Sequence, residues 1–372
     1  MRRAIATLTL IVLCAAVACA AGIPGVLPRP AHLATLQCHS DLAPNSIGIG
    51  ADPGGVELLD RRLAHLGLPA LRRSAIPAIR IAHAALPPQS YRLTVRDGRA
   101  SILSGDSSGS FYALVTLAQL VRRVGGRAVV PCVAISDAPA LRWRILSDDI
   151  SRGPLPTMRY FRRRIRTIAA FKMNGYSPYM EHVFISPSDP LPAPLDGITP
   201  TQLGALARYA ARFHVAFIPE QQTFAHMHNT LKYERYAAMA ELPHGFLLSP
   251  ANPAGLAYAQ RLIGEELAVV PHPPFFHIGS DETATLGDGT SAALVRSQGK
   301  ARVYADHVVA LNRTIAPSGA RTMLWDDGVE ADPAIAPLLP RDVVLVNWHY
   351  GKDRSFQKYI DLIAKDGFAQ MV

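Results

Sequence analysis

From Leu141 onward the sequence repeats one unit: a short apolar run, a polar junction, then a longer stretch with apolar residues at helical spacing. The strand candidates are Arg144–Asp148, Gly175–Tyr179, Val215–Pro219, Phe275–Ile278, Thr322–Trp325, Val343–Asn347 and Phe368–Val372. Between them lie helical stretches, notably Met158–Lys172, Thr199–Phe213, Pro253–Val269, Ala292–Ile315 and Phe356–Lys365. Strands that alternate with helices are joined by crossovers, so they run parallel in a buried sheet. The number of units predicts an α/β fold of the (β/α)8 (TIM) barrel type. It is incomplete at the C-terminus, because the seventh strand coincides with the last residue. Chemistry in such a barrel sits at the C-terminal ends of the strands.

Six successive strand ends carry acids and aromatics: Asp148-Asp149, Glu181-His182, Glu220 with His226, Asp281-Glu282, Trp325-Asp326-Asp327 and Trp348-His349-Tyr350. The fourth end is the most pointed. In Phe275-Phe276-His277-Ile278-Gly279-Ser280-Asp281-Glu282, continued strand geometry puts His277, Gly279 and Asp281 on one face, with Glu282 opening the loop. Two neighbouring carboxyls push one pKa upward, and a raised carboxyl is what general acid catalysis needs. An Asp-Glu pair alone reads more readily as a solvated loop or a helix cap than as a site. The histidine, the glycine and the other five strand ends favour a site.

Before the barrel the pattern is that of a small α+β domain over residues 22–138. Residues 24–44 are Pro-rich and read as irregular. Ser46–Ile49, Ala78–Ala82 and Val129–Ile135 read as strands, Val56–Leu66 and Gly109–Val124 as helices. Ser90–Val95 and Ala100–Leu103 flank Asp97-Gly98, a hairpin signal. The barrel then occupies 139–372. Met1-Arg2-Arg3, the apolar run Ala4–Ala18 and small residues to Ala21 read as a signal peptide over 1–21. The run is too short for a stable membrane span, so an exported protein is expected, periplasmic or secreted. Cys19 offers a weaker lipoprotein alternative. With the signal removed, Cys38 and Cys132 remain; a disulfide and two buried thiols are both open.

A net charge of +9 raises nucleic acid as a partner. The densest basic run, Arg159 to Arg166, continues into Ile165, Ile168 and Ala169 at helical spacing, which is the pattern of a helix with a solvated basic face. It has no interleaved aromatics of the single-strand-binding kind and no zinc-finger spacing occurs, so nucleic acid is not an expected partner.

His277-Ile278-Gly279-Ser280-Asp281-Glu282 closely resembles the His-x-Gly-Gly-Asp-Glu signature of glycoside hydrolase family 20, the β-N-acetylhexosaminidases, with Ser280 for the second glycine. Arg144-Ile145-Leu146-Ser147-Asp148-Asp149-Ile150-Ser151-Arg152 resembles the family's first barrel strand. Pro219-Glu220 followed by His226 is similar to its third, and Trp325-Asp326-Asp327 and Trp348 sit where the family places pocket tryptophans.

The resemblance implies retaining hydrolysis of terminal N-acetylglucosamine or N-acetylgalactosamine, assisted by the substrate's own acetamido group through an oxazolinium intermediate. It implies Glu282 as general acid and base, and Asp281, ionised, as acceptor for the acetamido N–H. Arg144, Trp325, Trp348 and Asp327 are the substrate-binding candidates. His226 is expected to tune Glu282, itself held by Glu181, although a plain surface carboxylate is the better reading of Glu181. His277 reads as a hydrogen-bonded core histidine and Glu220 as a structural acid. Carbohydrate is the expected partner, with no cofactor and no metal. Two other readings compete. One is a sugar-binding relic or gene fragment with impaired turnover. The other is a metal-dependent barrel hydrolase using His226, His228, His277, Asp281 and Glu282.

Overall fold

The computed structural model describes residues 25–42, 45–352 and 355–372. The expected signal segment, Cys19 included, lies outside the described residues.

The barrel part contains seven parallel strands in sequential order. They are β1 (Ile145–Asp149), β2 (Gly175–Met180) and β3 in two pieces (Ala216–Phe217 and Glu220–Gln221). Then follow β4 (Phe275–His277), β5 (Arg321–Trp325), β6 (Val344–Val346) and β7 (Ala369–Met371). Pro219 lacks the N–H a ladder needs, which accounts for the break in β3. The sheet curls as a partial barrel, with helices on one side. Phe276, Leu324 and Leu345 face those helices, while Ile218, Phe275, Met323 and Val344 pack together on the other face with Trp143 at the floor. The expected helix over Ala292–Ile315 is two helices, Ala292–Gln298 and Lys300–Ile315, because Gly299 between them takes a left-handed φ of 89°.

The preceding domain is an eight-stranded mixed sheet backed by helices Pro53–His65 and Ser107–Leu120. The segment expected to be irregular instead contains a ten-residue strand, His32–Asp41, paired antiparallel with Arg127–Asp137. That pairing carries a Cys38–Cys132 disulfide. Helix Ser107–Leu120 has no polar stripe (Phe111-Tyr112-Ala113-Leu114-Val115), so it must be covered on every side, and it is buried along nearly its whole length. Its own sheet covers one flank. On the other, Phe111 meets His214 of the barrel, Tyr112 meets Arg144, and Gln119 donates to the Ala170 carbonyl. A single apolar core runs through both domains. Among the described residues no helix is long and apolar enough to cross a membrane.

Candidate active site

The turn after β4 is where the local backbone is least ordinary. Gly279, Ser280 and Glu282 all take positive φ, at 67°, 68° and 52°, a conformation that disfavours side chains other than glycine and needs outside support. The expected strand alternation therefore ends at His277, where β4 ends. Gly279 is obligatory, since a Cβ there would sit 1.9 Å from the Gln222 amide oxygen. Support comes from all sides. The Thr223 hydroxyl donates to the Ile278 carbonyl (2.6 Å), the Tyr304 hydroxyl to the Ser280 carbonyl (2.9 Å), and the Glu282 amide to Asp327 (2.8 Å).

The turn delivers Asp281 into protein and Glu282 toward solvent. Asp281 is 7% exposed. One carboxylate oxygen accepts from the Gln222 side-chain amide (2.8 Å), the other from His226 Nε2 (3.1 Å). Burial alone would raise the Asp281 pKa, but these two hydrogen bonds and the His226 charge outweigh it and hold the carboxyl below its usual range. The reciprocal effect raises His226: burial works against its charge, and Asp281 and Glu282 overcome that. The Glu282 side chain is 55% exposed, with one oxygen 3.5 Å from the same His226 nitrogen. Asp281 is thus fixed as an ionised acceptor, beside a solvent-facing carboxyl within reach of the same imidazole.

Trp325 and Trp348 are half-buried around this turn. Trp325 lies against the His277 ring, 4.5 Å between centroids, and Trp348 meets Tyr350 edge-on at 5.6 Å. His277 is buried and accepts from the Gly279 amide through Nδ1, and burial depresses its pKa to about 3, so it is a neutral brace. Burial pushes Asp327 up to about 6, with the charge of Asp281 adding to the rise and the Glu282 amide opposing it. Glu220 is fully buried and accepts from Ser147 and Ser177 (3.0 and 2.7 Å), a structural position inside the sheet.

Two expectations need correction. Arg144 does not reach this site. It precedes β1, at the opposite rim of the sheet, and its guanidinium donates to the Lys172, Leu141 and Arg142 carbonyls, Gln89 and Tyr112. The arginine at the correct end of β1 is Arg152, eight positions later in the same motif. It donates to the Tyr179 hydroxyl (2.8 Å) and to Glu181 (3.3 Å). Nor is Glu181 a plain surface carboxylate: at 11% side-chain exposure it accepts from Arg152 and Tyr179, and its charge reaches His226 without a direct bond. The sequence reading missed Gln222, Tyr304 and Arg152. Only Arg152 had a signal, its place at the far end of a motif already noted. His228 starts the helix His228–Leu231, and the described residues do not gather it with His226, His277, Asp281 and Glu282 at ligand distance. Without that convergence the metal-hydrolase reading loses its site.

Two family models match the chain: Glycosyl hydrolase family 20, domain 2, over residues 24–138, and Glycosyl hydrolase family 20, catalytic domain, over 193–370. Hexosaminidase D of Bos taurus is 28% identical over 176 residues, covering 45% of this chain and 51% of the relative. A beta-N-acetylhexosaminidase of Cellulomonas fimi is 26% identical over 278 residues, covering 66% of this chain and 55% of the relative. The chain thus spans about half the length of these curated relatives. In fold it is similar to a GH20 exo-β-N-acetylglucosaminidase from Vibrio harveyi solved with N-acetylglucosamine. The TM-score is 0.80 at 19% identity, over 93% of this chain and 60% of that one.

Proposed function

The chain belongs to glycoside hydrolase family 20, and from that premise we propose that it is a β-N-acetylhexosaminidase releasing terminal N-acetylhexosamine by retaining, substrate-assisted hydrolysis. The observation that carries this reading is the unequal treatment of two adjacent carboxyls. Asp281 is buried, doubly hydrogen-bonded and held ionised, whereas Glu282 faces solvent on the same turn.

The chemistry follows from that inequality. A carboxylate oxygen that already accepts one hydrogen bond retains a lone pair for another, so Asp281 can accept the acetamido N–H and favour the positive charge that develops there. The acetamido oxygen then attacks the anomeric carbon while Glu282 gives its proton to the leaving oxygen. In the second half Glu282 takes a proton from water, which opens the oxazolinium ring with overall retention. His226, bonded to one acid and close to the other, is placed to adjust the Glu282 proton. Trp325 and Trp348 offer apolar faces for the sugar and its acetamido methyl group, and Arg152 offers donors for its hydroxyls. The N-terminal pattern and the disulfide both support export to an oxidising compartment, periplasmic or extracellular.

The test is release of 4-nitrophenol from the β-N-acetylglucosaminide compared with the plain β-glucoside, using this chain and Glu282→Gln. Release from the N-acetyl sugar only, abolished in the variant, is expected. Equal release from both sugars removes the substrate-assisted mechanism. A folded chain that binds N-acetylglucosamine without turnover is a sugar-binding protein instead.

A further inference from the structure

Three ligand-type side chains converge next to the cleft without taking part in it. Asp326 follows β5, Glu330 lies four residues on in the short helix Asp327–Ala331, and His349 comes from the loop after β6. One donor atom from each lies within 4.8 Å of the other two. Asp326 is 1% exposed, and among the described residues the side chain that meets its carboxyl is another acid, Glu330. Glu330 Oε1 and His349 Nε2 face one another at 3.3 Å, an ion pair when the imidazole is protonated, and the described residues give neither a further partner. The His349 ring is stacked on Tyr359, 3.5 Å between centroids, with Phe356 parallel to it further out. Its ring is therefore aimed, not free.

Two carboxylates turned toward each other away from water repel, and a buried oxygen without a donor is costly. A shared proton, an imidazolium at His349 or a bound cation each relieves this. The aimed imidazole beside two carboxylates makes the three together a ligand set that a cation fits. An ion about 2.0–2.2 Å from tetrahedral oxygen and nitrogen ligands sets neighbouring ligands roughly 3.4 Å apart, close to the Glu330–His349 separation. The mixed set of two carboxylates and one imidazole, with no thiolate, suits zinc or manganese better than copper(I), or than magnesium with its preference for oxygen and water.

We propose that Asp326, Glu330 and His349 bind one divalent cation, Zn2+ in first place and Mn2+ second, as a structural site that the hydrolytic reading does not use. Trp325 and Asp327 flank Asp326, and Trp348 precedes His349. The ion therefore fastens the end of β5 to the loop after β6 and fixes both tryptophan walls of the cleft.

The test uses the full chain without a polyhistidine tag, stripped with chelator and checked for folding by circular dichroism. It is titrated calorimetrically with Zn2+ alone and with Mn2+ alone. One ion per chain is expected, with a change in tryptophan fluorescence and a higher Tm. Asp326→Asn, Glu330→Gln and His349→Gln should each weaken binding by at least ~10-fold. The His349 variant is the safeguard should the buried Asp326 variant fail to fold. No uptake at millimolar ion, or uptake unchanged in the His349 and Glu330 variants, overturns the proposal. Asp326→Asn raising Tm in chelator while wild type takes up no ion assigns the pair to a shared proton.

Discussion

The two rims of the parallel sheet are built on opposite terms. At the floor, where strands begin, two cations are fully engaged: Arg144 makes five hydrogen bonds, and Lys172, buried, donates to Tyr91 and Asp137. At the mouth, where strands end, capacity is left over. Among the described residues the Asn347 side-chain amide lacks a hydrogen-bond partner, and the side chain that meets the Asp326 carboxyl is another acid, Glu330. The mouth also holds the left-handed Ser280 and Glu282. A satisfied rim stabilises a fold; a rim with unused donors, unused acceptors and held strain is prepared for something from outside. Arg144 and Arg152 lie at the two rims within one motif, on either side of one five-residue strand.

The contrast can be broken by substitution. Glu282→Gln at the mouth should lower turnover by about 10²–10⁴-fold and leave Tm nearly unchanged; a large fall in Tm would show that the mouth also carries stability. Arg144→Ala should do the reverse. It strands carbonyls and the Tyr112 hydroxyl between the domains and should cost about 2–4 kcal/mol in chemical denaturation, with KM little altered. Gly279→Ala forces a Cβ onto Gln222 at positive φ and should cost about 1–3 kcal/mol, and it should also displace Asp281, so stability and activity fall together.

Smaller effects sharpen the comparison. The raised His226 pKa contributes stability that is complete below its unfolded value and lost as pH rises through its folded value. The lowered Asp281 pKa contributes stability present above its unfolded value and lost as pH falls through its folded value. Their pair should therefore stabilise by about 1–2 kcal/mol in the window between, and His226→Gln should flatten that part of the Tm profile against pH. Arg152→Ala should be the mildest for stability, within about 0.5 kcal/mol given its exposed ion pairs, while weakening N-acetylglucosamine binding measured calorimetrically. A loss of several kcal/mol would make Arg152 another floor-type residue.

What the sequence made legible was whatever depends on local pattern. The seven strands could be read because each is a short apolar run bounded by helical stretches, and Asp281-Glu282 because it follows one of them. Arg144 misled because a strand of five residues has an arginine at each end, and motif spacing does not say which end faces the ligand. Strand His32–Asp41 was invisible because its residues are mostly exposed and its order comes from a partner about a hundred positions away. Gln222 was invisible for another reason: a glutamine gives no pattern, and its importance lies in meeting Gly279 across the sheet.

Helix Ser107–Leu120 has a consequence for how the molecule comes apart. It is at once the inner layer of the small domain and the surface against which the barrel floor is set, through Phe111–His214 and Tyr112–Arg144. Gly54 brings the neighbouring helix so near that a Cβ would lie 2.0 Å from the Arg212 carbonyl. Separating the two halves would uncover apolar surface on both, so neither has an intermediate in which to rest. Heat should therefore melt the chain in one calorimetric step, and two families of protein fold behave thermodynamically as one.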